Sequence, residues 1–317
     1  SIGQKSINNI VDAANFVLMD TGHPMHTFDL AKIKSKSINI RYAQNGEKLT
    51  TLDNVERELK DFHLLICDGS APIALGGIMG GANSQISDST TDILIESAYF
   101  KPTVIRKGAK RLDLSTEASK RFERDADIEA VIPTLEQLSE LIQEVAGGDI
   151  LTGFIDQYPT KKEVAKVNFS IENCNSFLGS NFSVTDAKAI FKKLSISVLE
   201  NGNSLKCTIP SFRNDLTREV DLFEEVARVV GYNNIPSSLN FTGSFDAFTE
   251  DERELDDKLR QFVSAIGFNE HYSNSLNNES EVTHFSEYEP VLLLNPLNLE
   301  MAYLRNSLIS GLLKALS

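Results

Sequence analysis

The chain has 317 residues, with 45 acidic and 31 basic side chains, a formal net charge of −14 and a pI near 4.9. It is too long for one comfortable core, so two to three domains are expected. The acidic balance argues against nonspecific polyanion binding, which needs clustered Lys and Arg, but leaves open a nucleic acid held by a local patch or a partner subunit; the one dense basic stretch is Lys101, Arg106, Lys107, Lys110, Arg111, Lys120, Arg121 and Arg124, read either as a local nucleic-acid patch or as a solvated helix face.

Cys67, Cys174 and Cys207 are odd in number, far apart and without zinc-type spacing, which fits buried thiols in a reducing cytosol. No apolar run reaches membrane-spanning length and no signal-peptide pattern opens the chain, so a cytoplasmic location without a membrane partner is expected. The initial Ser and the terminal run LISGLLKAL suggest a piece of a longer protein.

In chain order, Ile10, Val11, Ala14, Phe16 and Val17 carry a helical apolar pattern that Gly22 stops. His23 and His26 straddle Pro24, so His26 sits just beyond a rigid turn, where a histidine is more often structural than functional. From Ser37 to Leu75 the period shortens to that of strands, and GGIMGG follows with Gly76, Gly77, Gly80 and Gly81. Those glycines suit a close backbone approach to a ligand or a tight bend; a phosphate loop is excluded because the Lys-Ser/Thr ending is missing. In ILIESAYF, Glu96 interrupts an apolar strand, a costly place for a carboxylate unless it is paired or kept for recognition. LSTEASKRFER begins a helix with Ser115 or Thr116 as cap, and an amphipathic helix runs from about Ile128 to Val145 before Gly147-Gly148. Thr152 to Lys166 lacks periodicity and is assigned as a domain boundary.

A second unit spans about Val167 to Pro236: two helices, the second capped by Ser183 with Asp186 in the box position, then a hairpin turning at Asn201-Gly202 and a further helix. This order suggests a winged-helix scaffold, since no basic recognition helix is evident. In PSFRNDLTREVDLFEEVARVVGYNNIP, Asp215, Asp221, Glu224 and Glu225 precede or flank an apolar helical face of Leu222, Val226, Val229 and Val230. Two readings stay open there: a Mg²⁺ site, which takes about one or two protein carboxylates, or acidic side chains favouring the positive end of a helix. A third unit begins after Phe248 with an amphipathic helix closed by Gly267; its Arg305 suits a phosphate, a carboxylate or, more simply, structural pairing.

Taken together, PSFRNDLTREVDLFEEVARVVGYNNIP, NNIVDAANFVLMDTGHPMHTFD, ALGGIMGG, ILIESAYF and LSTEASKRFERDAD resemble the β subunit of bacterial phenylalanyl-tRNA synthetase over essentially the whole chain. The resemblance implies an α+β, multi-domain protein: a tRNA-editing (B3/B4-like) module over 1–160, a winged-helix-like (B5-like) module over 165–236, and a truncated catalytic-like domain of class II synthetase fold, built on an antiparallel sheet, over 245–317. It implies that the full enzyme, an α2β2 heterotetramer acting on tRNA, attaches phenylalanine to its tRNA using ATP, and that this piece carries hydrolytic editing of mischarged tyrosyl-tRNA. Alternatives are a non-catalytic scaffold for the α subunit and a metal-dependent hydrolase.

Position by position, the resemblance makes Glu96 the reader of the tyrosine hydroxyl and places His26, with Asn15 and Thr116, at the scissile ester. Ala118 shapes the pocket, and Gly77 and Gly80 form a wall where a side chain would fill the space for the ring. Ala14 stands where many members have Thr, removing a hydroxyl expected beside the site. Asp215, Asp221, Glu224 and Glu225 fall on the family's Mg²⁺ positions, with the ion shared with the α subunit and expected to be weak or absent in this piece alone.

Overall fold

The computed structural model describes residues 2–202, 204–237, 243, 253–285 and 287–317. The chain is α+β, with antiparallel strand pairing throughout the described residues, and divides into units at 1–239 and 240–317.

The first unit opens with α1 (Asn9–Thr21), whose Asn8 cap accepts from the Val11 amide and whose end is closed by Gly22 at φ 75°, donating to Leu18 O. That left-handed backbone is what glycine supplies at a helix end. β1 (Met25–Asp29) follows, then β2 (Ile38–Tyr42), β3 (Lys48–Thr50), β4 (Glu56–Glu58), β5 (Leu64–Asp68), β6 (Ala71–Leu75), β7 (Met79–Gly80) and β8 (Ile93–Ser97). Strands β2, β5, β6 and β7 form one sheet in the order β2-β5-β6-β7, β3 pairs with β4, and β1 pairs with β8. After β8 come α2 (Pro102–Arg111), α3 (Glu117–Phe122) and α4 (Val131–Ala146).

Because strand side chains alternate, the β1–β8 ribbon has two faces with different surroundings. Met25, Ile93 and Ile95 pack with Ala13, Ala14, Val17, Leu138 and Ile142 of α1 and α4. Phe28 and Leu94, on the other face, belong to the main core with Leu65, Leu75, Phe100, Ile105 and Phe122. The ribbon therefore separates a small helical cluster from the larger one, and any polar residue on its second face points toward buried apolar surroundings.

No helix or strand occurs from 147 to 165. Then β9 (Lys166–Ser170), α5 (Ile171–Leu178), α6 (Val184–Lys193), β10 (Ser197–Asn201), β11 (Ser204–Thr208) and α7 (Glu219–Val230) build a three-stranded sheet of order β10-β11-β9 with helices packed on it. Its core centres on Phe169, edge-on to Phe191 at 4.9 Å and to Phe223 at 5.7 Å, arrangements that favour aromatic pairs. A polar junction ties this part to the preceding one. Asn214 Nδ2 donates to Asp125 O at 2.8 Å, Lys162 pairs with Asp125 at 3.0 Å, and Tyr99 donates to the same carboxylate at 2.7 Å. Cys67, Cys174 and Cys207 are all buried and free.

The second unit contains α8 (Glu254–Ala265), β12 (Leu276–Asn277), α9 (Glu279–His284), β13 (Tyr303–Leu304) and α10 (Ile309–Leu316), with β12 and β13 forming a short antiparallel pair. Arg305 donates to Ser273 O and Oγ, a structural pairing within the unit. The start expected for this unit, at 245 and through to 252, lies outside the described residues.

Candidate functional site

The pairing of β1 with β8 sets His26 directly opposite Glu96. Side chains at such paired positions share a face of the ribbon, and here it is the face of Phe28 and Leu94. As whole residues both are half-buried, yet their polar tips are sealed: Glu96 Oε2 and His26 Nε2 are shielded from solvent and find no hydrogen-bond partner among the described residues. Burial raises the Glu96 carboxyl to about 7 and lowers the His26 imidazole to about 4, each shift disfavouring the charged form. An unsatisfied buried polar atom costs about 1–3 kcal/mol, so two on one face mark a place built for something other than stability.

What surrounds His26 is equally specific. Its ring meets Phe28 edge-on at 4.5 Å, and a Cβ added at Gly80 would lie 2.5 Å from His26 Cε1 and 2.7 Å from Nε2. Only glycine leaves room for the imidazole there. Gly77 faces elsewhere: its backbone has φ +67°, and a Cβ would meet Phe100 at 2.8 Å and Ile105 at 2.9 Å, in the core, instead of open ring space. Gly77 thus closes the turn against the core, while Gly80 borders the site.

Thr116 caps α3, accepting from the Ser119 amide at 3.0 Å while donating to Ile78 O at 2.7 Å. Its hydroxyl is committed to tying the helix start to the glycine turn, a positioning contact. Ala118, two residues on, packs against the main core. Asn15 is half-buried on α1 and its side chain makes no hydrogen bond among the described residues. Ala14 is buried in the cluster with α4, so a hydroxyl at that position would enter helix packing on the opposite side of the ribbon. His23, the other histidine flanking Pro24, is 1% exposed, edge-on to Phe122, with neither ring nitrogen in a hydrogen bond among the described residues. Burial is the largest cause of its lowered pKa; the nearby Asp127 pulls the other way.

The acidic stretch is organised differently. Arg213 grips Asp215 through Nε and Nη2, at 2.9 and 2.6 Å, and reaches Glu225 through Nη1 at 2.9 Å. Arg228 adds a second bond to Glu225 at 2.7 Å. Asp221 accepts from the Arg218 and Thr217 amides at 2.7 and 3.0 Å and pairs with the Arg218 guanidinium at 2.9 Å, while Glu224 is exposed. The Arg213 bond first, then Arg228, holds Glu225 down at about 2; Arg218 does the same for Asp221, also about 2. Among the described residues no group of three or more candidate ligands converges to hold a metal ion. As arranged the four carboxylates do not fit a Mg²⁺ site: guanidinium groups already occupy oxygens of Asp215, Asp221 and Glu225, and Glu224 stands apart, exposed. Sequence reasoning missed Arg213; the signal was its position two residues before Asp215.

Residues 1–147 match the B3/4 domain family, 167–232 the tRNA synthetase B5 domain, and 235–317 the phenylalanyl tRNA synthetase beta chain CLM domain. The phenylalanine–tRNA ligase beta subunit of Geobacter sulfurreducens is 41% identical over 324 residues, covering 100% of this chain and 40% of the relative. The subunits of the same name from Lactococcus lactis and Thermotoga maritima are 39% and 38% identical over 98% and 99% of this chain, and 39% and 40% of their own lengths. The chain thus spans about 40% of the length of the curated relatives it matches.

Proposed function

Because the chain belongs to the phenylalanyl-tRNA synthetase β-chain family, we propose that its first 160 residues hydrolyse the ester of tyrosine wrongly attached to phenylalanine tRNA, with Glu96 and His26 at the centre. The observation that carries this reading is the facing pair of buried, unpartnered polar tips beside Gly80. Glu96 supplies selectivity. Ionised, it accepts from a phenol hydroxyl; protonated, it both donates and accepts; a phenylalanine ring leaves it unsatisfied. A site built to bond a hydroxyl rejects the analogue lacking it by about 10⁴–10⁵ in favourable cases.

His26, held near 4, is neutral at the working pH and a weak general base there. Its role is to orient water through Nε2. That water attacks the ester carbonyl, the bond to the terminal ribose oxygen breaks, the water's proton passes to that oxygen, and free tyrosine and tRNA leave. The ester is already activated, so positioning supplies much of the rate. Thr116 and Gly80 keep the turn and the imidazole in place, and Ala118 and Gly77 support it from the core side. Asn15, on α1, is assigned to the ester end of the substrate by the family resemblance alone.

Residues 165–236 are proposed as the winged-helix-like module and 245–317 as the start of the catalytic-like domain. For the whole subunit we propose a cytoplasmic α2β2 assembly that joins phenylalanine to tRNA with ATP and Mg²⁺; no step of the editing reaction passes through a metal. No described helix is long and apolar enough to cross a membrane. The test is deacylation of tyrosyl-tRNA by the chain and by His26→Ala. The reading expects hydrolysis by the parent and a drop of about 10²-fold or more in the variant, the size of a lost positioning group; equal rates would remove His26 from the mechanism.

A further inference from the structure

The helix that props up the glycine turn carries a second feature on its outer side. α2 buries Ile105, Gly108 and Ala109, with Gly108 so close to the turn that a Cβ there would lie 3.1 Å from Ile78 Cδ1. Its exposed side presents Arg106, Lys107, Lys110 and Arg111, preceded by exposed Lys101 at the N-cap. The helix contains no acidic residue, and none of these five cations forms a salt bridge among the described residues. Arg106 donates to Glu123 O and Lys107 lies 4.1 Å from the Phe62 ring centroid, neither of which neutralises charge.

Helix electrostatics explains only part of this. Lys110 and Arg111 sit in the last turn, where the dipole favours cations, but Lys101 stands at the end that disfavours them. Arg106 with Lys110, and Lys107 with Arg111, are like charges four residues apart, each pair unfavourable by a few tenths of a kcal/mol. A chain of net charge −14 has gathered this patch against its overall balance. Phosphate groups are the ligand that such a row of unpaired cations takes up, by releasing counterions.

We infer that the outer face of α2 is the surface on which the RNA backbone lies when the aminoacylated 3′ end occupies the Glu96–His26 site beside the turn that this helix supports. The inference rests on the editing reading and adds the surface that holds the substrate. One helix would then do both tasks: its inner face fixes the turn carrying Gly80 and its outer face binds phosphate.

The test uses the 317-residue chain and the triple variant Lys101→Gln/Lys110→Gln/Arg111→Gln, which alters none of the pocket residues. Three quantities are measured: the salt dependence of tRNA binding, the kcat and KM for tyrosyl-tRNA hydrolysis, and hydrolysis of the minimal ester tyrosyl-adenosine, too short to reach the helix. The salt slope should fall by about 0.7–0.9 for each phosphate that the variant no longer neutralises, with KM rising about tenfold. The kcat and the minimal-ester rate should stay unchanged, and the thermal midpoint should shift only slightly, the like-charge and dipole effects on this helix being small and opposed. An unchanged salt slope overturns the inference, as does equal loss of minimal-ester hydrolysis, which would mean that α2 acts through the fold. Loss of binding to an acidic protein with tRNA binding intact overturns it too. If the parent fails to hydrolyse either ester but its tRNA binding still depends on these cations, the surface stands and the editing reading falls.

Discussion

Two polar constellations in this chain are bonded in opposite ways. In the acidic stretch Asp215, Asp221 and Glu225 are each met by a guanidinium, and Asp221 by backbone amides as well, while Glu224 is exposed. In the β1–β8 ribbon, Glu96 and His26 face each other with buried tips that nothing among the described residues satisfies. The acidic cluster has more charge and the more conspicuous sequence pattern, yet Asp215, Asp221 and Glu225 are already bonded and held toward permanent ionisation. The ribbon has one acid and one imidazole, both pushed toward neutrality by burial. What separates a stabilising network from a candidate site is whether bonding capacity is left over, and acid density does not report that.

The sharpest way to break the contrast is Gly80→Ala. The new Cβ would occupy space held by the imidazole, so His26 must move. Tyrosyl-tRNA hydrolysis should fall by about 10²-fold, as misplacement by about 1 Å costs in other sites. The stability cost is about 1–3 kcal/mol from overpacking; unchanged turnover would mean that the imidazole position does not matter.

Next, Arg213→Ala leaves the buried Glu225 with Arg228 as its remaining cation and frees Asp215. Breaking a buried pair costs about 3–5 kcal/mol, and the surviving partner should keep this case at or below the lower end. Urea unfolding measures it, and a loss under about 0.5 kcal/mol would show that the network adds no stability.

Neutralising Glu96 should work in the other direction. With its folded pKa raised to about 7 from 4.5, the favourable protonated state is present below the unfolded value and lost as pH rises through 7. His26, lowered to about 4 from 6.5, contributes the reverse: stability present above 6.5 and lost as pH falls through 4. Between about 4.5 and 6.5 the two slopes, each at most about 1.4 kcal/mol per pH unit, oppose one another in the parent. Glu96→Gln removes the falling slope, so the variant should gain stability with pH across that window and exceed the parent at pH 8. Thermal midpoints from pH 4 to 8 would test this, and parallel curves for both proteins would contradict it.

The smallest effect is expected from Thr116→Val, which keeps the shape but loses the cap and the bond to Ile78 O, about 1 kcal/mol by calorimetry. A KM change without a kcat change would place Thr116 in substrate binding, beyond its structural contact.

The contrast was only half legible in the sequence. Glu96 stood out because an acid interrupting an apolar strand is physically costly, and α1, the 196–210 hairpin and α7 followed from local periodicity, caps and the Asn-Gly turn. The pairing of His26 with Glu96 was beyond local pattern, since β1 and β8 are joined across an intervening sheet and their register is set by tertiary packing. Gly77 and Gly80 look alike in GGIMGG, but only the backbone shows that one faces Phe100 and the other His26. Ala14 seemed a loss beside the site and instead packs in the α1–α4 cluster, because helix phase, not proximity in sequence, decides its face. The acidic stretch suggested ligands; Arg213, lying between them in space, showed partners.

The central claim is that the unsatisfied carboxyl of Glu96 is kept for a substrate hydroxyl. The most direct measurement is the ratio of kcat/KM for tyrosyl-tRNA over phenylalanyl-tRNA hydrolysis in Glu96→Ala and parent chains at neutral pH. The account predicts that the parent strongly favours tyrosine and that the variant loses about 10²-fold or more of that preference while still cleaving ester. A variant that hydrolyses both esters with the parent's ratio would contradict it.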